Sequence, residues 1–192
     1  PIGISIPGMI YYEPCFAQEL EWIVLESLRL IAARESSVYL RLSTKKVDQT
    51  LLRLPDDPNA RERLREQVIG GAHMLAEGVG ADRVNIFAAG VMVGEAMKAK
   101  DLLAHEDVAA NVINVTSPDR LFQRYQSMTQ GLIAGAERDR FLNDVVSPEA
   151  ALAPVVSVID GHPQALAWLG GALGVRCLPL GVSNHGQSGS QS

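Results

Sequence analysis

The segment Tyr11-Tyr-Glu-Pro-Cys-Phe16 concentrates the side chains most able to contact a ligand. It places three aromatic rings and the carboxylate of Glu13 directly before a predicted helix, in a chain that is only 5% aromatic. One interpretation is a binding surface. The other is a set of core aromatics that fixes the start of the helix, and the spacing alone favours this second interpretation.

A second candidate is Asp160-Gly-His-Pro163, which follows an apolar run at residues 155–159 that is typical of a buried strand. Open α/β sheets bind ligands beyond the carboxyl ends of their strands. Pro163 is also well placed to open a helix, and Asp160 or His162 would then serve as its cap. The sequence favours the capping role and leaves ligand contact as the alternative.

Several kinds of chemistry have no support in the sequence. No Gly-x-Gly-x-x-Gly motif follows a strand, and the turn at residues 89–94 lacks the second glycine through which a backbone approaches a pyrophosphate. No Gly-x-x-x-x-Gly-Lys-Ser/Thr motif is present. Ser157 is not flanked by the Gly-x-Ser-x-Gly turn of hydrolases. A nucleotide-binding Rossmann domain and a serine hydrolase are therefore disfavoured.

The histidines and cysteines form no metal or nucleophile motif. Neither His-x-x-x-His nor Cys-x-x-Cys spacing occurs. The residues concerned are His73, His105, His162, His185, Cys15 and Cys177. Because no basic cluster in the sequence stands beside either cysteine to activate its thiol, we expect both to lie in the core, and we expect no metal site.

Composition limits the class of protein further. The chain of 192 residues has a net charge of −5, which argues against binding to nucleic acid or to an anionic membrane. Its 47% hydrophobic and 20% charged residues are those of a globular protein, and no apolar run reaches the roughly 18 residues that a membrane span needs. Two cysteines cannot build a disulfide framework and the first residues are not a signal peptide, so we expect a cytoplasmic protein.

The order of predicted elements indicates the end of one α/β unit followed by another. Apolar spacing predicts a helix over residues 16–34, and alternation predicts a strand over 37–43. Prolines in residues 54–58 mark a boundary, and a short charged helix over 60–67 follows. Strands are then predicted at 71–77, 84–89, 110–116, 155–159 and 175–182, and helices at 93–105, 118–128 and 163–173. Short, continuously apolar strands favour a three-layer α/β fold, with a mostly parallel sheet flanked by helices.

Two stretches give weaker signals. Residues 129–153 contain one helical pattern, at 137–143. Residues 183–192 have no apolar side chain and are expected to form a loop or a flexible tail. A sheet domain of this size usually closes with a covering helix, and the chain does not begin with Met, so we expect a piece that is truncated at both ends.

Four segments carry a resemblance to a known family. Residues 6–20 (IPGMIYYEPCFAQEL) and 38–44 (VYLRLST) are similar to the end of the pyrimidine-binding domain of homodimeric pyruvate dehydrogenase. That family is the thiamine-diphosphate-dependent, decarboxylating first component of the 2-oxoacid dehydrogenase complex. Residues 112–121 (VINVTSPDRL) and 180–190 (LGVSNHGQSGS) resemble a strand–helix junction and the terminal Gly/Ser loop of the transketolase C-terminal domain that follows.

The resemblance implies a domain organisation, a cofactor and partners. Residues 1–53 correspond to the end of the pyrimidine-binding domain, 54–66 to a linker and 67–192 to a transketolase C-terminal-like domain. The full-length protein would be a homodimer that binds thiamine diphosphate and Mg²⁺, decarboxylates a 2-oxoacid and passes the acyl group to a lipoyl carrier, with a lipoyl acyltransferase as a further partner. Because the family's Gly-Asp-Gly motif and activating glutamate do not occur in this sequence, we expect the chain alone to be inactive, without catalytic or metal-ligating residues and without a tightly bound cofactor.

The same resemblance assigns two residues to the cofactor pocket. Tyr12 and Phe16 match aromatic positions on its pyrimidine and substrate side, while Glu13 and Glu19 match acidic positions without an assigned role. The sequence departs from the pyruvate enzymes at residues 45–50 (KKVDQT), which lack the histidine that those enzymes use. A related 2-oxoacid such as 2-oxobutyrate is therefore an alternative to pyruvate.

Three alternatives to 2-oxoacid decarboxylation stay open at this point. Transketolase-like ketol transfer would need basic groups for a sugar phosphate, and Lys45, Lys46 and His185 are the available ones. A non-catalytic dimerisation or docking module would lack the Gly-Asp-Gly motif and the catalytic glutamate in the complete reading frame. A stand-alone binder of a small ligand would retain that ligand tightly in the isolated chain.

Overall fold

The computed structural model describes residues 6–134 and 141–183, and its strands form two sheets. The first sheet is small, with β1 (Met9–Tyr12) and β2 (Ser37–Leu40) paired in parallel along their whole length. The helix α1 (Ala17–Ala32) connects the two strands. This βαβ unit corresponds to the first predicted α/β unit.

The second sheet has five strands in the order β3-β5-β4-β6-β7. They are β3 (Ala72–Ala76), β4 (Arg83–Ala89), β5 (Ala109–Val115), β6 (Val155–Val158) and β7 (Cys177–Leu180). The edge strand β3 runs antiparallel to β5, and the other neighbouring pairs are parallel. The predicted α/β class with a mostly parallel sheet is confirmed.

Five helices accompany this sheet in the described part of the chain. They are α2 (Pro58–Gly70), α3 (Met92–Ala104), α4 (Pro118–Ile133), α5 (Gln164–Ala167) and α6 (Leu169–Leu173). The helix α2 precedes the first strand, and the others lie in the connections between strands. None of the helices among the described residues is long and apolar enough to span a bilayer.

Alternating residues of the central strands build a hydrophobic core on each face of the sheet. Phe87 and Ile113 face the side covered by α4, α5 and α6, where they belong to one cluster with Leu121 and Leu166. The opposite face is covered by α3 and comprises Ile86, Ala88, Ala110, Val112, Val93 and Ala96. Strands that are apolar on both faces are typical of a parallel sheet buried between helices, so the domain has the predicted three layers.

Several predicted elements differ in extent from the observed ones. The helix predicted over 118–128 continues to Ile133, and the strand predicted over 37–43 ends at Leu40. The helix predicted over 163–173 is two short helices that meet at Trp168. Here the chain packs closely on β7, since a Cβ on Gly170 would lie 2.6 Å from the Cβ of Cys177.

Two predictions fall partly outside the described residues. The helix predicted over 137–143 overlaps residues 135–140, and the tail predicted over 183–192 extends beyond residue 183. Of the first, Phe141 and Leu142 lie in turns and are buried in the main core.

The helix α2 occupies most of the segment predicted as a linker with a short charged helix. The Asp57 carboxylate accepts a hydrogen bond from the N–H of Ala60 at 2.8 Å, and Pro58 stands at the start, so the helix begins as its residue types favour. Val68 is buried against the βαβ unit, and Leu64 packs beside it. The helix therefore packs with the first unit, and the division of the chain at residues 54–66 stays a prediction.

The βαβ unit lies across the carboxyl edge of the five-stranded sheet. The N–H of Glu13 donates to the carbonyl of Thr116, directly after β5, at 2.7 Å. The Ser117 hydroxyl donates to the carbonyl of Tyr11, whose own N–H donates to the Asp119 carboxylate at 3.3 Å. These bonds place the predicted aromatic segment over the ends of the parallel strands.

Candidate functional site

The strand order changes direction between the neighbouring strands β4 and β6, and this switch point lies at their carboxyl ends. From β4 the chain passes through α3 to β5 on one side, while β6 lies on the other side of β4 and continues through α5 and α6 to β7. Because these helices cover opposite faces, a crevice opens between the strand ends. A cavity of about 230 Å³ lies there, and both units line it. Its charged and turn-forming residues are Glu13, Arg41, Gly90 and Asp160.

Glu13 is the buried charged residue of this switch-point cavity. Its side chain is 5% exposed, and its Oε1 accepts a hydrogen bond from Nη1 of Arg41 at 2.6 Å. The hydroxyl of Tyr11 donates to Oε2. Burial raises the pKa of the Glu13 carboxyl above its ordinary value, and the two donors oppose that shift. The charged form of Glu13 therefore depends on Arg41 and Tyr11.

Arg41 joins the two units of the chain. Its Nη2 donates to Oδ2 of Asp160, beyond the end of β6, at 3.0 Å. Because the side chains of Arg41 and Asp160 are 37% and 49% exposed, this outer pair contributes less than the pair with Glu13. Asp160 thus contacts the other unit, whereas Nδ1 of His162 accepts the N–H of Gln164 at 3.3 Å. Pro163 occupies the cap position of α5, so of the two residues considered as caps, His162 contributes only this hydrogen bond to the first helical N–H and Asp160 contributes none.

Gly90 makes room for the Glu13 carboxylate. It follows β4 with a φ of 55°, and a Cβ at this position would lie 2.5 Å from Oε1 of Glu13. Any other residue would be strained in this left-handed conformation and would displace the carboxylate. The turn at residues 89–94, which lacks the glycines of a pyrophosphate site, uses Gly90 to accommodate a carboxylate instead.

A second cavity of about 230 Å³ adjoins the first and is more apolar. Its apolar wall consists of Cys15, Phe16, Leu20, Leu42, Val47 and Val91. Ser43, Lys45 and Gln49 supply its polar atoms. The Lys45 ammonium lies 3.3 Å from the Glu95 carboxylate of α3. We call this space the Phe16 cavity.

The Cys15 thiol lies in the wall of the Phe16 cavity and is uncharged at neutral pH. Burial raises its pKa to about 12, and the nearby carboxylates of Glu19 and Glu13 add to the shift. Cys177 is partly buried against the main core. The sequence prediction that both cysteines pack in the interior agrees with these positions.

Glu19 is fully buried and holds the turn that forms the apolar wall. Its Oε2 accepts the N–H groups of Cys15 at 2.9 Å and Phe16 at 3.1 Å. Its Oε1 accepts Nε2 of His73 and Nδ2 of Asn114, each at 2.6 Å. Sequence reasoning missed this cluster because His73 and Asn114 lie 54 and 95 residues from Glu19. The available signal was the position of Glu19 in the first helical turn, where the glutamate of a capping box stands.

The two residues assigned to the cofactor pocket lie in different surroundings. Tyr12 is fully buried, and its hydroxyl donates to the carbonyl of Ile69 at 3.0 Å. It is not among the residues that line the two cavities. Phe16 is 2% exposed and lines the Phe16 cavity. Contact of either residue with a cofactor stays a prediction.

The other residues considered for chemistry are dispersed. Lys45 lines the Phe16 cavity, Lys46 is exposed, and His185 lies outside the described residues. Within residues 6–134 and 141–183, no three His, Cys, Asp or Glu side chains are grouped so that they could hold a metal ion.

The sheet order, the flanking helices and the βαβ unit at the carboxyl edge define a doubly wound α/β domain with a crevice at its switch point. Residues 71–192 match the family described as the transketolase-like TK C-terminal domain. The chain belongs to this family. The transketolase C-terminal part of the sequence-based resemblance is therefore confirmed, and the match does not extend to pyruvate dehydrogenase.

Relatives and solved structures agree with this family. The chain is 32% identical over 111 residues to the 6-deoxy-6-sulfo-D-fructose transketolase subunit SqwH of Clostridium sp. (strain MSTE9), which covers 58% of this chain and 29% of that protein. The transketolase of Campylobacter jejuni superposes with a TM-score of 0.63 at 15% identity, covering 98% of this chain and 24% of that one. Transketolase from Leishmania mexicana gives a TM-score of 0.59 at 17% identity, covering 95% and 22%. At these identities the structures show the fold alone, and the chain spans less than a third of each of these proteins.

Proposed function

We propose that the full-length protein transfers a two-carbon ketol unit between sugars with thiamine diphosphate and a divalent metal ion. The observation that carries this proposal is the 32% identity to a transketolase subunit, within a family of transketolase-like domains. It reverses the preference for 2-oxoacid decarboxylation that residues 6–20 suggested. The substrate class that we propose is a ketose with an anionic end, a phosphate or a sulfonate.

The described residues suit the ring end of thiamine diphosphate better than its diphosphate end. The Phe16 cavity offers an apolar wall with a few polar atoms from Ser43 and Gln49, a surface that packs against an aromatic ring. Among the described residues no grouped carboxylates suit Mg²⁺. We therefore assign the diphosphate and the metal to other parts of the full-length protein.

Each part of the Phe16 cavity has a task in this proposal. Thiamine diphosphate, when bound, supplies the electron sink for breaking the bond beside a carbonyl group. Phe16 packs against the ring and excludes water, while Glu19 fixes the turn that carries Phe16. Lys45 offers an ammonium group at the cavity for the anionic end of the sugar.

Decarboxylation of a 2-oxoacid is the second candidate function. It is favoured by residues 6–20 and 38–44, which resemble pyruvate dehydrogenase, while the lack of a histidine at residues 45–50 counts against pyruvate itself. In that case the acyl group would pass to a lipoyl carrier. For either reaction we propose a homodimer in the cytoplasm, and the free thiols of Cys15 and Cys177 fit a reducing compartment.

The test is a direct comparison of the two reactions with the full-length protein, loaded with thiamine diphosphate and Mg²⁺. One assay offers a ketose phosphate or ketose sulfonate with an aldose acceptor. The other offers pyruvate or 2-oxobutyrate with an artificial electron acceptor. We expect ketol transfer to exceed decarboxylation. Turnover of 2-oxoacids alone would replace the proposal with the second candidate, and a folded, cofactor-loaded protein without turnover would leave a docking module.

Two neighbouring lysines provide a matched pair for this assay. Lys45 lines the Phe16 cavity, whereas Lys46 is exposed and is not among the residues that line it. We expect Lys45→Met to raise the KM for the anionic ketose and Lys46→Met to leave it unchanged. Equal effects of the two substitutions would contradict the assignment of Lys45 to the anionic end of the sugar.

A further inference from the structure

Three fully buried polar side chains connect the five-stranded sheet to the wall of the Phe16 cavity. Glu19 belongs to α1 of the first unit, whereas His73 and Asn114 stand opposite each other in β3 and β5. Both strand residues donate to the same oxygen of Glu19, at 2.6 Å. The sheet therefore contacts the turn before α1 through one carboxylate.

The two oxygens of Glu19 have separate partners. Oε1 is occupied by the side chains of His73 and Asn114, and Oε2 accepts the backbone N–H groups of Cys15 and Phe16. A carboxylate is rigid, so its orientation on the sheet side sets the positions of the two backbone groups on the other side. Through Glu19, the side chains of His73 in β3 and Asn114 in β5 therefore set the position of the backbone that forms the cavity wall.

The chemistry of Asn114 indicates a positioning role rather than simple packing. Its Oδ1 is buried without a hydrogen-bond partner in the described part of the chain, and a buried polar atom left without a partner is destabilising. An apolar side chain would avoid that penalty. What an apolar side chain could not provide is the N–H donated to Glu19, which the buried carboxylate needs.

We propose that His73 and Asn114 are positioning residues, which fix Glu19 and thereby the shape of the Phe16 cavity at the Cys15–Phe16 turn. The identity of the ligand in that cavity rests on the proposed function. The positioning itself is a property of the fold and has a readout that does not require turnover.

The first experiment measures the turn directly through the thiol of Cys15. Iodoacetamide labelling of the full-length protein, resolved by peptide mass spectrometry, compares Cys15 with Cys177 as an internal reference. We expect Asn114→Ala to accelerate labelling of Cys15 about tenfold, the factor for losing one hydrogen bond to a charged group. Loosening the turn exposes the thiol and also lowers its pKa from the raised value that burial imposes, so both effects act in the same direction.

A matched control is available three residues earlier in the same strand. Asn111 is also buried, but it donates to the side chain of Asn85 and accepts from the N–H of Gly78. We expect Asn111→Ala to destabilise the protein without accelerating Cys15 relative to Cys177. Equal acceleration by Asn111→Ala and Asn114→Ala, or acceleration by neither, would overturn the proposal.

The second experiment separates positioning from stability in the working enzyme. We expect His73→Leu to raise the apparent Kd for thiamine diphosphate and to lower kcat/KM, and His73→Gln, which can still donate an N–H to Glu19, to recover most of both. If His73→Leu does not fold, Asn114→Ala carries this test. Faster labelling of Cys15 with unchanged binding of thiamine diphosphate would support the positioning and overturn the assignment of the cofactor ring to the Phe16 cavity. A wild-type protein without turnover would reject the proposed function, and the labelling result would still decide the positioning.

Discussion

Replacing Arg41 with methionine should loosen the contact between the two α/β units. Methionine keeps much of the apolar length and removes the guanidinium that pairs with Glu13 at 2.6 Å and with Asp160 at 3.0 Å. The Tyr11 hydroxyl would then be the side-chain donor that remains to Glu13. The variant would thus contain a carboxylate that is 5% exposed and has lost its paired charge.

The size of the effect follows from the burial of the two partners. Removing one member of a buried ion pair costs about 3–5 kcal/mol. Arg41 is 37% exposed and therefore partly screened by solvent, so we expect a loss of about 2 kcal/mol. The pair with Asp160 adds little, because both of its side chains are exposed to solvent. A loss of about 2 kcal/mol corresponds to about a thirtyfold change in an equilibrium constant.

The loss should depend on pH in a defined direction. Burial raises the pKa of Glu13, so the folded chain binds this proton more tightly than the unfolded chain. The contribution of Glu13 to stability is therefore fully present below the pKa that its carboxyl has in the unfolded chain. It is lost as the pH rises through the higher pKa that the carboxyl has in the folded chain. Without Arg41 the pKa rises further, because the opposite charge is gone. The stability that Arg41→Met loses relative to the wild-type protein should be largest at mildly alkaline pH and should decrease on acidification.

Hydrogen–deuterium exchange of the full-length protein measures this deficit locally. Since the N–H of Glu13 is bonded to the carbonyl of Thr116, protection of residues 9–16 reports separation of the two units. We expect their protection factors, corrected for intrinsic rates, to fall about thirtyfold at mildly alkaline pH. Arg53→Met is the control, because Arg53 is exposed and forms no ion pair with another described residue.

A double-mutant cycle isolates the pair itself. In the Glu13→Gln background the charge that Arg41 neutralises is absent, so Arg41→Met should cost much less than in the wild-type protein. The reasoning is refuted if the loss of protection is the same in both backgrounds. A loss that does not change with pH, or that Arg53→Met reproduces, would refute it equally.

Three further outcomes follow from the geometry. Gly90→Ala should destabilise the protein by about 1–2 kcal/mol or more, because it combines a left-handed φ with a clash against Glu13. Gly94→Ala should instead stabilise the protein by about 0.5–1 kcal/mol, because Gly94 lies in α3 with open space around its Cβ. Urea unfolding that ranks the two variants otherwise would contradict this. Alkylation of Cys15 should keep accelerating with pH up to a midpoint near 12, and a plateau close to the ordinary pKa of a thiol would disprove its burial. Trp168→Ala removes a ring that stacks on Tyr125 at 5.6 Å and should cost about 3 kcal/mol in urea unfolding, while a cost near zero would show that this aromatic cluster does not stabilise the fold.

The elements and the fold class could be predicted because they depend on local patterns. The apolar periods of β4, α3 and β5 are strong, and Ser117 followed by Pro118 begins α4 as a cap and a first helical residue should. The break at Trp168 was not predicted from the apolar pattern, and just beyond it Gly170 lies close against β7. The antiparallel direction of β3 was equally hidden, since a strand pattern carries no information about its neighbour.

The candidate site could be predicted only where one segment contains several of its residues. The aromatic segment drew attention through its composition, and Asp160 through its place after a strand. Arg41 had no such signal, because it lies 28 residues from Glu13 and 119 from Asp160. Only the docking of the βαβ unit on the sheet brings these three side chains together.

The contacts of Glu13 and Glu19 suggest how a domain whose described residues hold no grouped metal ligands would act in the proposed reaction. Glu13 and Glu19 flank the turn that walls the Phe16 cavity, and each is hydrogen-bonded to the sheet side, Glu13 through its backbone N–H to the carbonyl of Thr116 and Glu19 through its carboxylate to His73. An apolar contact resists separation but tolerates sliding, whereas hydrogen bonds to a buried charge fix both distance and direction. Polar anchoring at two points therefore determines where the turn lies relative to the sheet. If the Phe16 cavity accepts the cofactor ring, the C-terminal domain acts on the reaction through the position of this turn.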